Sequence, residues 1–198
     1  SSEELRFFGV SGTATVSSIH SLFTDLSDQH LSVTNNEFGS AVCLNRSSPR
    51  YILALNLAGS ALLNKLTNAD NYADESHWEA MDILDGIPYV EAQTSNQFVP
   101  QMLNLQAMAG IDFDKGCYMG QETVARTKFL GRNKRASYIL VHEGVDISEP
   151  LNPGDSLEKQ AGENWRSGGT VLQSSVLNDK TVAFAVLAND TQTGDVLR

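Results

Sequence analysis

The sequence predicts an α+β fold in two parts, and three observations lead there. Residues 1–134 alternate strand-like apolar runs with helical spacing, residues 137–198 hold only short β-rich runs, and a glycine-rich basic segment lies near the junction. The expected domains are therefore 1–134, an α+β region, and 135–198, a small β-barrel.

Taken in order, residues 5–10 read as a strand, and Val16, Ile19, Leu22, Phe23 and Leu26 then recur at helical spacing, giving one apolar face. Strands are expected at 31–34 and 41–44, with Asn35-Asn36 and Gly39 marking the turn between them, and another at 51–55. Leu57, Leu62, Leu63 and Leu66 form an amphipathic helix. Residues 76–84 form a further helix, stopped by Gly86 and Pro88. The order β-α-β-β-β-α-α approaches a ferredoxin-like split βαβ arrangement, which sets helices on one face of an antiparallel sheet. Beyond it, runs at 138–141, 170–173 and 181–187 are punctuated by Pro150, Pro153-Gly154 and Gly168-Gly169, the texture of a small barrel or sandwich. The chain starts without methionine and enters a strand almost at once, so it is expected to be a truncated fragment, with a closing barrel strand missing beyond Arg198.

Composition narrows the function. The 198 residues are 41% hydrophobic and 19% charged, ordinary for a soluble globular chain. A net charge of -10 opposes a surface that binds polyanions as a whole, so any anion site must be a local patch. The cysteines, Cys43 and Cys117, form neither a disulfide framework nor a CxxC pair, which fits a reducing compartment. No apolar run is long enough to span a bilayer, and the first residues lack the order of a signal peptide. A cytoplasmic location is expected.

The chemistry concentrates in GIDFDKGCYMGQE, residues 110–122, followed by a helix to about residue 130 and then Gly131. Its glycines let the backbone turn sharply or approach a ligand closely. A loop entering a helix offers unpaired N–H groups and the positive end of the dipole. Cys117 stands there beside Lys115, in surroundings where nucleophilic, redox-active and metal-binding cysteines occur. From the residues alone, a small buried hydrophobe and a reactive thiol suit Cys117 equally; Cys43, inside an apolar strand, reads as core. Six of the fourteen basic residues fall in this stretch: Lys115, Arg126, Lys128, Arg132, Lys134 and Arg135. They form either a solvated face, with Glu122 and Arg126 as an ordinary i,i+4 pair, or a patch that receives carboxylates or phosphates. The scattered histidines show no HxH or HExxH spacing, so no metal site is expected, and no Walker loop, Rossmann fingerprint or GxSxG elbow occurs.

The string KGCYMGQE, preceded by Pro100, Asn104 and Gly110 and followed by Ala125-Arg126 and Lys134-Arg135, resembles the signature of the YgfZ folate-binding family. Asp85-Gly-Ile-Pro88 is similar to the family's Gly-Ile-Pro turn. That family is related to the glycine-cleavage T-protein, an aminomethyltransferase that uses tetrahydrofolate. The resemblance implies a T-protein-like ring around a central folate site, of which this chain would lack an N-terminal portion. It implies Cys117 and Lys115 as the functional pair, and Gly116, Tyr118, Gly120, Gln121 and Glu122 as the residues shaping the folate loop. Arg126, Lys128 and Arg132, with Lys134 and Arg135, would meet the glutamate carboxylates of tetrahydrofolate or a one-carbon derivative. It further implies support of iron–sulfur protein assembly or repair, with partners such as a radical methylthiotransferase acting on tRNA, and through it control of replication initiation.

Two other classes compete. A true aminomethyltransferase needs a carboxylate at the folate nitrogen, and Asp112, Asp114 and Glu122 are the nearby acids. An RNA-binding module needs basic residues interleaved with exposed aromatics, and only Phe129 and Tyr138 are close in sequence, so direct nucleic-acid binding is not expected.

Overall fold

The computed structural model describes residues 4–67, 72–131, 133–143 and 151–198. Arg132 and Pro150, singled out above, lie outside the described residues, and of Leu130 and Glu143 only the backbone is described. The architecture is α+β, with two antiparallel four-stranded sheets and four α-helices among the described residues. The chain divides into two compact units, residues 1–74 and 75–198.

In the first unit, β1 (Arg6–Ser11), β2 (Val33–Asn36), β3 (Gly39–Cys43) and β4 (Arg50–Leu55) form a sheet in the order β1-β4-β3-β2. Alternate residues share a face, and the register sets Val10 and Cys43 against Tyr51, and Phe8 and Ala41 against Leu53. That face is covered by α1 (Thr13–Ile19), through Val16 and Ile19, and by α2 (Leu57–Leu66), through Leu63. Asn56 caps α2 by accepting a hydrogen bond from the Gly59 N–H at 2.9 Å.

Two expectations are corrected here. The first helix stops at Ile19, and Leu22 and Phe23 reach the core from the turn that follows, with both N–H groups donating to Ile19 O. A split βαβ motif holds its two strands parallel on either side of a third. Here β1 and β2 are the two edge strands, antiparallel to each other with β4 and β3 between them. The reason is the short connections of β2-β3-β4, which form a meander and bring β4 beside β1. The turn between β2 and β3 falls within the expected interval, at Glu37-Phe38, with Asn36 and Gly39 paired on either side of it. Gly39, at φ 140, lies so close to Ala54 O that a Cβ would come within 2.0 Å of it.

The second unit is built on β5 (Arg135–Glu143), β6 (Ser156–Ala161), β7 (Asn164–Leu177) and β8 (Lys180–Ala188), in the order β5-β8-β7-β6. Central β8 is buried on both faces, which explains its unbroken apolar run. Val182, Phe184 and Val186 pack with Leu172 against Ala80 and Ile83 of α3 (Glu75–Leu84) and against Leu103. On the other face, Ala185 and Leu187 pack with Val171 and Leu157. The change of texture at residue 135 is the start of this second sheet, while α3 and the 3-10 turns Pro100–Leu103 and Leu105–Met108 belong to the same compact unit. Strand β6 was not expected. Its alternate buried residues are Leu157 and Lys159, and the Lys159 ammonium is neutralised by Asp195, so the strand reads as polar in sequence.

Residues 196–198 extend the sheet beyond β6: the Glu158 N–H donates to Arg198 O at 2.8 Å and the Arg198 N–H to Glu158 O at 3.0 Å. Between β5 and this segment lies a groove of about 900 Å³, with Tyr138, Leu140, Leu157 and Leu197 as its apolar wall and His142 and Arg198 among its polar residues.

Candidate functional site

The signature segment forms an exposed loop leading into α4 (Gln121–Leu130), and every residue from Asp114 to Gly120 is exposed. Local hydrogen bonds shape it. Asp112 Oδ1 accepts from the Asp114 N–H at 2.9 Å, an Asx turn that opens the loop. At the other end, Gln121 Oε1 accepts from the Tyr118 N–H at 3.3 Å, and the Thr123 N–H donates to Gly120 O at 3.1 Å. Gly120 is the N-cap residue at φ 91 and Gly131 the C-cap at φ 58, so a glycine in the left-handed region bounds the helix at each end.

One buried clamp holds α4 in place. Gln101, in the turn Pro100–Leu103, donates from Nε2 to Val124 O at 2.7 Å, and both residues are buried. Asn133 Nδ2 donates to Gln101 O, and Asn104 Nδ2 donates to Ser137 O at 2.7 Å, which ties the same turn region to β5. Asn104 itself is left-handed, at φ 57.

The structure brings together several residues singled out in the sequence. The Lys115 ammonium lies 4.8 Å from the centre of the Tyr118 ring. Glu122 and Arg126 form an ion pair one helical turn apart. Lys128 lies over the Phe113 ring at 3.7 Å and near the Phe129 ring at 5.4 Å. Phe113 therefore meets the last turn of α4 while Tyr118 meets the first, so the loop runs along the helix. Cys117 is an exposed free thiol, which decides between the readings the sequence left open: it is not a core residue. Cys43 is buried, as expected.

Lys115 and Cys117 are not joined by a hydrogen bond among the described residues. Nor is any carboxylate paired there with Lys115, Lys128, Lys134 or Arg135, all of them exposed. The basic stretch thus keeps most of its charge, in a chain whose total is -10. The sequence reading missed Phe113 as a partner of Lys128 and Gln101 as the clamp. Neither sits in a periodic pattern, and both contacts depend on the path of the loop.

Comparison with known proteins gives one consistent likeness. Residues 133–198 match the family description "YgfZ, beta-barrel domain". The chain is 40% identical over 189 residues to the "tRNA-modifying protein YgfZ" of Colwellia psychrerythraea, a match covering 95% of this chain and 57% of that relative. It is 41% identical over 194 residues to the proteins of the same name from Yersinia pestis and Yersinia pseudotuberculosis, covering 96% of this chain and 57% of each. Residues 133–198 thus match the YgfZ barrel, and the chain as a whole is similar to YgfZ proteins along nearly its full length. It spans somewhat over half the length of these YgfZ relatives.

A folate needs cations for its glutamate carboxylates and directional polar partners within an apolar recess for its pterin. The cations without carboxylate partners in this chain fit the first requirement. A loop exposed from Asp114 to Gly120 does not by itself enclose a pterin. No helix of the described residues is long and apolar enough to cross a membrane.

Proposed function

We propose that this chain is the loop-and-barrel portion of a folate-binding factor that supports iron–sulfur protein assembly or repair, and through it tRNA methylthiolation and control of replication initiation. The observation that carries the reading is the KGCYMGQE loop: an exposed thiol at Cys117, between Lys115 and the first turn of α4, on a strip of cations without carboxylate partners. The names of its YgfZ relatives support the link to tRNA modification.

In this reading Lys115 acts with Cys117 as the functional pair, while Arg126 and Lys128, with Arg132, Lys134 and Arg135, hold the glutamate carboxylates of tetrahydrofolate or a one-carbon derivative. Gly116, Tyr118, Gly120, Gln121 and Glu122 set the path of the loop. When bound, the folate supplies one-carbon chemistry. Cys117 presents a thiol able to handle a sulfur, iron or one-carbon species, in a cytoplasmic setting that keeps it reduced.

An accessory role is favoured over aminomethyl transfer because two of the three nearby acids are engaged and the third, Asp114, is exposed on the loop. Asp112 closes an Asx turn and Glu122 is paired with Arg126. Calorimetric titration of tetrahydrofolate into the full-length Colwellia relative, into this chain and into their cysteine-to-alanine forms, Cys117→Ala in this chain, tests the reading. Folate binding by the full-length protein that survives loss of the thiol is expected, alongside failure of the cysteine-free form to restore tRNA methylthiolation in cells lacking the protein. Absence of folate binding by the full-length protein would sink the assignment.

A further inference from the structure

The loop carries large apolar groups as well as charge. Met119 is 101% exposed, Phe129 74% and Tyr118 39%, within one loop and the helix it runs along. In an ordinary soluble surface such groups are scattered singly; clustered and ringed by charge, they mark an interaction site. Charge lies beside these groups: the Lys115 ammonium stands over Tyr118 and that of Lys128 near Phe129, and neither these two nor Lys134 and Arg135, just beyond the helix in sequence, have a carboxylate partner among the described residues. Methionine, aromatic and arginine residues at the centre of a patch, with charge at its rim, are the composition of a protein interface.

We propose that the 113–119 loop and the exposed side of α4 form a docking surface for a partner protein that presents carboxylates around an apolar recess. The charge complementarity argues for an acidic partner: this strip is basic while the chain as a whole carries -10, so the strip is where an acidic surface meets attraction instead of repulsion. Two features favour protein over single-stranded nucleic acid. The ammonium of Lys128 already lies over Phe113 and near Phe129, and that of Lys115 over Tyr118, so ring area that bases would stack on is shared. Met119, the most exposed group, suits an apolar recess and offers no flat face to a base. The helix is also a rigid platform, held by the buried Gln101 contact to Val124 O. The identity of the partner rests on the function proposed above, which names an iron–sulfur methylthiotransferase acting on tRNA.

The test is biolayer interferometry of the 198-residue chain against a purified, cluster-loaded radical methylthiotransferase, with an anticodon stem-loop RNA as second probe. Met119→Ser with Phe129→Ser is expected to raise Kd at least tenfold, chiefly through faster dissociation, with the thermal unfolding midpoint unchanged. Lys134→Glu with Arg135→Glu is expected to slow association several-fold and to flatten its dependence on salt. Equal affinity of wild type and the Met119/Phe129 variant overturns the surface, as does no binding of the wild type. Tighter binding of the RNA, lost in Phe129→Ser, overturns it in favour of nucleic acid. Failure of the full-length relative to bind folate, with docking still sensitive to Met119 and Phe129, sinks the folate reading and leaves this surface standing.

Discussion

Gly116 and Gly120 stand four residues apart in the same loop, yet the structure asks different things of them. A Cβ at either position would meet nothing within 4 Å, but Gly120 sits at φ 91, where a side chain is strained, and Gly116 does not. Gly120→Ala is expected to destabilise the loop and first turn of α4 by about 1 kcal/mol. Gly116→Ala should leave urea unfolding unchanged to within about 0.5 kcal/mol. If Gly116→Ala nevertheless weakens folate binding, the backbone there is approached by the ligand. If unfolding itself shifts markedly, the space around Gly116 is not open. A second residue-scale expectation concerns Asp195, whose carboxyl is held below the usual value, first by the Gln192 N–H bonding it at 2.7 Å and then by Lys159. A depressed pKa means that the native state favours the ionised form. The stability it contributes is present above the ordinary carboxylate value near pH 4 and is lost as pH falls through the lower native value. Asp195→Asn should therefore lower the melting temperature near neutrality and shrink the further drop below about pH 4; an identical acid profile for both proteins would contradict this.

Among the elements, the turns that carry α4 matter more than the helix's own sequence. Val124 is the one side chain buried among those described in α4, so the clamp from Gln101 does much of the positioning. Gln101→Leu leaves the Gln101–Val124 hydrogen bond unmade and is expected to cost about 1 kcal/mol. It should also raise amide exchange along α4, and unchanged protection there would argue against the clamp. Ala109 ends the turn Leu105–Met108 at φ 56, exposed and without the freedom of glycine. Ala109→Gly should stabilise by about 0.5–1 kcal/mol in urea denaturation, and a loss of stability would mean the strain is not there. These elements also show what the sequence could reveal. Helices α2 and α3 and strand β8 were legible because their apolar residues recur at the period of the element. Strand β6 was not, since its second buried position is a lysine neutralised from 36 residues away in the chain by Asp195. The loop was found through its glycines, Lys115 and Cys117. Its exposure, the path along α4 and the Phe113 contact were beyond reach, because they are set by Gln101 and Asn133 hydrogen bonds that no local pattern encodes.

At the scale of the whole chain, the cores decide where it can be divided. Residues 1–74 enclose one apolar cluster around Phe23, Leu53 and Leu55, and residues 75–198 enclose two, on the two faces of the second sheet. The sequence placed the junction at 134/135, where the β-rich texture begins. A chain cut there would strip α3 and the Leu103 turn from β7 and β8, and Leu172, Phe184 and Val186 would lose Ala80, Ile83 and Leu103. Exposing fully buried side chains of this size costs roughly 1.5–3 kcal/mol each, which a small barrel with a total stability of about 5–15 kcal/mol cannot absorb several times over. Residues 75–198 expressed alone are therefore expected to give a sharp thermal transition with β-rich circular dichroism. Residues 135–198 alone should aggregate, or bind a hydrophobic dye without a cooperative transition. A cooperative, dye-free 135–198 would show that the barrel closes without its helical cover, and the division suggested by the sequence would then be the true folding boundary.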